Sequence, residues 1–121
     1  MADDDAVSRG LIRDVLEPEG YEVFDVANGE EALTVIARMQ PDLVLVDIQM
    51  PILDGYEVLK NLRDDIRFRD LPVAAVTAQA MASDRQRALS NGFNAYVTKP
   101  INVSALRAQV RILLERTERV A

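Results

Sequence analysis

Cysteine and histidine are both missing from this 121-residue chain. Without cysteine there is no disulfide, thiol nucleophile or zinc-thiolate site, and the chain suits a reducing compartment. Without histidine there is no Ser-His-Asp triad, no imidazole metal ligand and no phosphohistidine. Positive charge is also short. Fourteen Lys and Arg face twenty Asp and Glu, a net charge of -6, so no broad positive field exists and direct nucleic-acid binding is not expected. No run approaches the roughly 18 apolar residues of a membrane span. The start Met1-Ala2-Asp3-Asp4-Asp5 has neither the basic nor the apolar part of a signal peptide. The expected location is the cytoplasm, with no membrane partner. Chemistry here must come from carboxylates, hydroxyls, lysine or backbone.

What remains is the composition of a globular protein: 49% hydrophobic and 28% charged, with five Gly and five Pro. The length suits one domain over residues 1–121 that buries a real core. Val7, Leu11, Ile12, Val15 and Leu16 recur at helical spacing up to Glu17-Pro18-Glu19-Gly20, which predicts a first helix. Tyr21 to Val26 reads as a strand, and Asn28-Gly29-Glu30-Glu31 as the cap of a second helix. That helix turns Ala32, Leu33, Ile36 and Met39 inward and ends at Pro41. Leu43 to Val46 is an unbroken apolar run of the kind found in a strand covered on both faces, and it ends in Asp47.

The cycle then repeats. Asp54-Gly55-Tyr56-Glu57 opens a third helix to about Arg63, and Pro72 to Val76 forms another buried strand ending in Thr77. Ser83-Asp84-Arg85-Gln86 is expected to cap a fourth helix that closes at Asn91-Gly92. Ala95 to Thr98 forms the last strand, ending in Lys99-Pro100. Asn102 caps a final helix with Val103, Leu106, Val110 and Leu113 on one stripe and Arg107, Arg111, Arg116 and Arg119 in water. Such alternation implies a doubly wound α/β fold, a parallel sheet with helices on both faces. Ligands in these folds collect beyond the carboxyl ends of the strands. Asp47, Thr77 and Lys99 each sit at or just after such an end, so they are expected to converge.

The acidic cluster Asp3-Asp4-Asp5 with Arg9 nearby, Asn28 to Leu33, Val46-Asp47-Ile48-Gln49-Met50-Pro51 through Gly55, Val76-Thr77-Ala78, Asn91 to Tyr96 and Val97-Thr98-Lys99-Pro100 stand in an order and spacing that resembles the receiver domain of two-component response regulators. The resemblance covers nearly the whole chain. It implies a flavodoxin-like sheet ordered 2-1-3-4-5. It also implies a phosphoacceptor, Asp47, that takes a phosphoryl group from a histidine kinase or a histidine phosphotransfer protein. Two further carboxylates beside Asp47 demand a cation, so magnesium is implied. Asp4 would bind it directly and Asp3 through water, with Asp47 and the backbone carbonyl of Gln49 completing the protein share. Lys99 would neutralise Asp47 and then the phosphoryl oxygens. The Thr77 hydroxyl would donate to the phosphoryl group, drawing its loop inward and freeing space for Tyr96. The surface of helix four, strand five and helix five would then meet a downstream protein target. Such a domain is not an enzyme in the usual sense, but it promotes its own phosphorylation and dephosphorylation. Pro100 would follow a cis bond. Gln49 and Gln79 overhang the site, Met50 is packing, Arg9 a salt-bridge partner, and Asp5 and Asp14 surface residues.

The chain departs from this pattern at its start. Receivers begin with an apolar strand in the centre of the sheet, and here only Met1 and Ala2 precede Asp3. Burial of several side chains at about 1.5–3 kcal/mol each is at stake, so the first strand must be truncated or replaced. The expectation is that the gap beside Leu43 to Val46 is filled by a homodimer or by a rearranged N-terminal region. If Asp3 and Asp4 were displaced, the domain would be a non-phosphorylated receiver-like interaction module instead. A magnesium-dependent aspartyl phosphohydrolase is disfavoured because Gln49 stands where its second Asp is needed. A flavin-binding protein is disfavoured because the chain lacks a phosphate-cradling loop and has only three Tyr and three Phe as aromatics. The sequence leaves open whether the chain acts alone or belongs to a longer regulator or hybrid kinase.

Overall fold

The computed structural model describes residues 1–118, with side chains through 115. The elements run α1 (Ala6–Leu16), a 3-10 turn (Glu17–Glu19), α2 (Gly29–Met39), β1 (Val44–Val46), α3 (Gly55–Asp64), β2 (Val73–Thr77), α4 (Ala82–Ser90), β3 (Ala95–Thr98) and α5 (Val103–Glu118). The three strands form a parallel sheet in the order β1-β2-β3. Strand alternation divides the core in two. Val44, Val46, Val73, Ala75 and Tyr96 pack with α2, α3 and α4 on one face. Leu45, Ala74, Val76, Ala95 and Val97 pack with α1 and α5 on the other. Helices therefore cover both faces, which is why the strands carry apolar side chains on both.

The helix boundaries follow local chemistry. Asp5, Asn28 and Asp54 each accept a backbone N–H of the following turn, the commonest way to satisfy orphan donors at a helix start. Asp54 and Glu57 form a reciprocal capping box. Asp5 is thus a surface residue, as expected, with a structural duty besides. Helix α4 begins earlier than its Ser83-centred pattern predicts, with Met81 at the cap position. The Asp84 carboxylate accepts the Met81 N–H at 3.3 Å, which closes the turn two residues ahead of Ser83. Arg107 and Arg111 are exposed. The side chain of Arg116 and the whole of Arg119 lie outside the described residues. Four apolar expectations fail: Val7 and Leu11 of α1, Met39 of α2 and Val103 of α5 are all exposed and contribute nothing to the core.

The start of the chain needs no rearrangement. Ala2 bridges Val26 on one side and Val46 on the other, both in parallel, and it is buried. Its N–H donates to Leu45 C=O (2.9 Å) and its C=O accepts from Asp47 N–H (2.9 Å), while the Asp3 N–H donates to Val26 C=O (3.1 Å). Met1 to Asp3 thus stand where the first strand of a 2-1-3-4-5 sheet belongs, truncated to a single bridging residue. The consequence is felt next door. Tyr21 to Val26, expected as a strand, enters the sheet only at Val26, because only Ala2 bridges beside it. One side chain that the sequence pattern marks only as the end of α3 ties the rest together. The Arg63 guanidinium donates to Phe68 C=O, Leu71 C=O, Gly92 C=O and Asn94 Oδ1 at 2.8–3.1 Å. It fastens α3 to the turns before β2 and β3.

Candidate functional site

The carboxyl end of each strand delivers one polar side chain to the same edge. β1 runs straight into Asp47, Thr77 is the last residue of β2, and Lys99 follows β3. All three strands are parallel and in register, Val46 opposite Ala75 and Thr77 opposite Thr98, so these residues sit side by side. The Lys99 N–H donates to Thr77 C=O at 2.8 Å, which fixes the height of Lys99 above the sheet. The Lys99–Pro100 peptide bond is cis, as the resemblance implies.

The truncated first strand adds the acidic pair. Asp3 is fully buried, and Asp47 and Thr77 are buried too. Lys99 Nζ lies 2.8 Å from Asp47 Oδ2 and 2.8 Å from Asp3 Oδ2. The remaining oxygens are held by backbone. Asp47 Oδ1 accepts the Gln49 N–H (3.0 Å) and Asp3 Oδ1 accepts the Asp5 N–H (2.9 Å). Burial pushes the Asp3 carboxyl above its ordinary pKa, and the Asp47 charge adds to this, against the opposing pull of Lys99 and the Asp5 N–H. Burial works against the Lys99 charge too, yet the two carboxylates outweigh it and raise its pKa. One ammonium thus offsets part of the repulsion between two anions.

Asp3, Asp4 and Asp47 bring carboxylate oxygens within 4.8 Å of one another. Asp4 is exposed, at the mouth of the cluster. Asp3 Oδ2 is, among the described residues, the one buried side-chain oxygen without a hydrogen bond. Its contact with Lys99 Nζ, at 2.8 Å, is an ion pair. An all-oxygen, triply acidic cluster with an unsatisfied buried oxygen fits a small hard divalent cation. Arg9 steadies the acidic loop by donating to Asp3 C=O at 2.6 Å, and its ion pair to Asp25 (3.2 Å) makes it the expected salt-bridge partner.

The loop beyond Asp47 is shaped by close approach. A Cβ on Gly55 would lie 2.7 Å from Asp47 C=O and 2.8 Å from Ile48 Cα, so only glycine lets α3 begin this near the strand end. Met50 packs against the core, as expected. Gln49 and Gln79 line one open groove with Asp4 and Met50. Thr77 Oγ1 accepts the Gln79 N–H at 3.3 Å. The Tyr96 hydroxyl donates to Gln79 C=O at 2.6 Å, and the residue is buried. In this structure Tyr96 already lies inward. The link from Thr77 to Tyr96 through Gln79 backbone was not legible in the sequence, since it depends on how the loop after β2 folds back over β3.

Residues 1–111 match the family model for the response regulator receiver domain. Among curated proteins, the chain is 45% identical over 103 residues to the polar-differentiation response regulator DivK of Brucella anthropi, covering 85% of this chain and 84% of that protein. The same-named protein of Brucella ovis is 44% identical over 103 residues, with the same shares covered. Among solved structures, the receiver domain of the Francisella response regulator 1452 superposes with a TM-score of 0.89 at 33% identity, covering 96% of this chain and 94% of that one. The receiver domain of sensor histidine kinase PA1611 from Pseudomonas aeruginosa PAO1, with a magnesium ion coordinated in its active-site cleft, gives 0.86 at 32% identity, covering 94% and 93%.

Proposed function

The chain belongs to the response regulator receiver domain family of two-component signalling, and from that premise we propose that residues 1–121 act as one phosphoacceptor domain with Asp47 as the accepting side chain. The observation that carries this reading is the position of Lys99 Nζ, 2.8 Å from both Asp47 Oδ2 and Asp3 Oδ2, inside a cluster of three carboxylates. A carboxylate oxygen of Asp47 attacks the phosphorus of a phosphohistidine on a histidine kinase or histidine phosphotransfer protein. The new P–O bond forms as the P–N bond breaks, and the electron pair stays on the imidazole nitrogen, which takes up a proton. The product is an acyl phosphate, and water returns it to carboxylate and orthophosphate. The protein promotes both steps on itself and is not an enzyme acting on a separate substrate.

Receiver domains bind magnesium at an acidic pocket, and Asp3, Asp4, Asp47 and the Gln49 carbonyl would hold it here, Asp3 through water. When bound, the ion neutralises charge between the carboxylates and the incoming phosphoryl oxygens. The chain's own groups do the rest. Lys99 leaves its pairing with Asp47 and supplies positive charge to the phosphoryl group. The Thr77 hydroxyl, now accepting from Gln79 N–H, is free to donate its own hydrogen to a phosphoryl oxygen. Because Gln79 also holds Tyr96, movement of the Thr77 loop is felt at the ring and on the surface of α4, β3 and α5. That surface would meet the downstream protein target. None of the described helices is long and apolar enough to cross a membrane, and cytoplasmic action is part of this proposal.

Intact mass after acetyl phosphate treatment in magnesium tests the reading. The expected outcome is a gain of about 80 Da, the mass of one phosphoryl group, that is absent in Asp47→Asn and in EDTA. A folded wild-type protein that gains nothing would instead be the interaction module without phosphate.

A further inference from the structure

The open groove that carries Gln49 and Gln79 runs on past them to Tyr56 and Arg87, with a volume of about 520 Å³. At its other end stands Asp4, the exposed mouth of the Asp47 cluster. Among the described residues that line it, Arg87 is the one cation. Its guanidinium lies over the Tyr56 ring, 4.5 Å from the centroid, and Tyr56 is braced edge-on by Phe93 at 5.6 Å. Arg87 is exposed, and among the described residues its guanidinium makes no ion pair and no hydrogen bond. The neighbouring carboxylates are taken up by helix starts. Asp54, in the groove, accepts Glu57 N–H at 2.9 Å, and Asp84, one turn before Arg87 on α4, accepts Met81 N–H at 3.3 Å. A guanidinium held on an aromatic face keeps its N–H edge available, so the groove offers a planar fork of donors with no acceptor.

Phosphoryl transfer gives such a fork something to do. The attacking and departing atoms stand roughly in line through phosphorus, so a group displaced by Asp47 leaves on the side away from it. Asp47 is buried, and the mouth of its cluster opens into this groove. A departing carboxylate would meet the field of Asp3, Asp4 and Asp47 there, while Lys99 is committed to Asp3 and Asp47. A departing neutral molecule would feel little of this repulsion.

On the phosphoacceptor reading of Asp47, we propose that Arg87 and this groove form the leaving-group site for a small-molecule acyl phosphate, a second class of phosphodonor beside phosphohistidine proteins. A carboxylate oxygen of Asp47 attacks phosphorus as the bond from phosphorus to the donor's bridging oxygen breaks. The electron pair stays on that oxygen, and the acyl group departs as a carboxylate with no proton transferred. The Arg87 fork receives this carboxylate, and Tyr56 holds the fork in place.

The test follows intact mass against time for the whole protein in magnesium with two donors. Acetyl phosphate releases acetate, and phosphoramidate releases ammonia. Arg87→Met should lower the ratio of the acetyl phosphate rate to the phosphoramidate rate about tenfold, the loss of one charge-assisted hydrogen-bonded contact. Arg87→Glu, which sets a further carboxylate in the groove, should lower it more. An unchanged ratio in both variants, with wild-type protein labelled by both donors, would overturn the inference and leave the reading of Asp47 intact. A fall of both rates together would assign Arg87 to packing on Tyr56 and overturn it equally. Wild-type protein labelled by neither donor would overturn the reading of Asp47, and the leaving-group site with it.

Discussion

The two flanks of the sheet are built from similar residues to different standards. On the flank of β1, β2 and β3, parallel ladders, two core layers and the Arg63 fastening hold every strand residue. On the flank of Met1 to Asp3 and Tyr21 to Val26, two isolated bridges at Ala2, the backbone bonds around it, and Arg9 and Arg13 reaching to Asp25 and Val23 C=O carry the load. Yet both flanks deliver carboxylates to the same site: Asp47 from the firm side and Asp3 from the thin one. The contrast shows that a ladder and a single bridged residue can place carboxylates at one site when one cation meets both. Lys99 reaches across from the firm flank to Asp3, so the thin flank is pinned at the point where the chemistry lies.

The largest expected effect falls on the firm flank. Leu59 is 1% exposed in the layer under α3, and Leu59→Ala should cost about 4 kcal/mol by urea unfolding, the upper part of the range for a buried leucine. A cost under about 1 kcal/mol would show that this flank is no better packed than the other. Next comes the pin itself. Lys99→Met leaves the fully buried Asp3 and the buried Asp47 without their cation, an uncompensated buried charge worth about 3 kcal/mol. The loss measured in EDTA should shrink when magnesium is added. A loss unchanged by magnesium would separate Lys99 from the acidic cluster.

The smallest of the three belongs to the thin flank. Burial lowers the pKa of the Met1 ammonium from 8.0 to about 6, an effect opposed by Asp25 and reinforced by Arg13. Between pH 6 and 8 the unfolded chain therefore keeps a proton that the folded chain has lost. Stability rises with pH across that window, by about 2 kcal/mol, and the penalty is fully present below pH 6 and gone above 8. With no histidine in the chain, the difference between free and N-acetylated protein isolates this amine. Parallel pH profiles for the two would contradict the burial of Met1.

Most of the firm flank was legible in the sequence because its information is local. Apolar runs ending in Asp47, Thr77 and Lys99 mark strands and their carboxyl ends, and Asp54 with Glu57 marks a helix start. What escaped depends on distant parts of the chain. Tyr21 to Val26 has the composition of a strand, but a ladder needs a partner of equal length, and Met1-Ala2 cannot supply one. Met39 lies on the apolar stripe of α2 yet is 43% exposed. The Asp84 cap at Met81 and the Tyr96 bond to Gln79 C=O rest on loop geometry that no residue pattern encodes. For Asp3 and Asp4, the short start raised the prospect of displacement, and the bridging of Ala2 between Val26 and Val46 shows that they lie beside Asp47.

We propose that Asp3, Asp4 and Asp47 take up magnesium in solution although two of them lie on the thin flank. Magnesium titration followed by backbone amide resonances checks this. Saturable shifts are expected at Asp3, Asp4, Asp47 and Gln49, and they vanish in Asp47→Asn. A folded protein whose resonances at these four residues stay still at millimolar magnesium would contradict it.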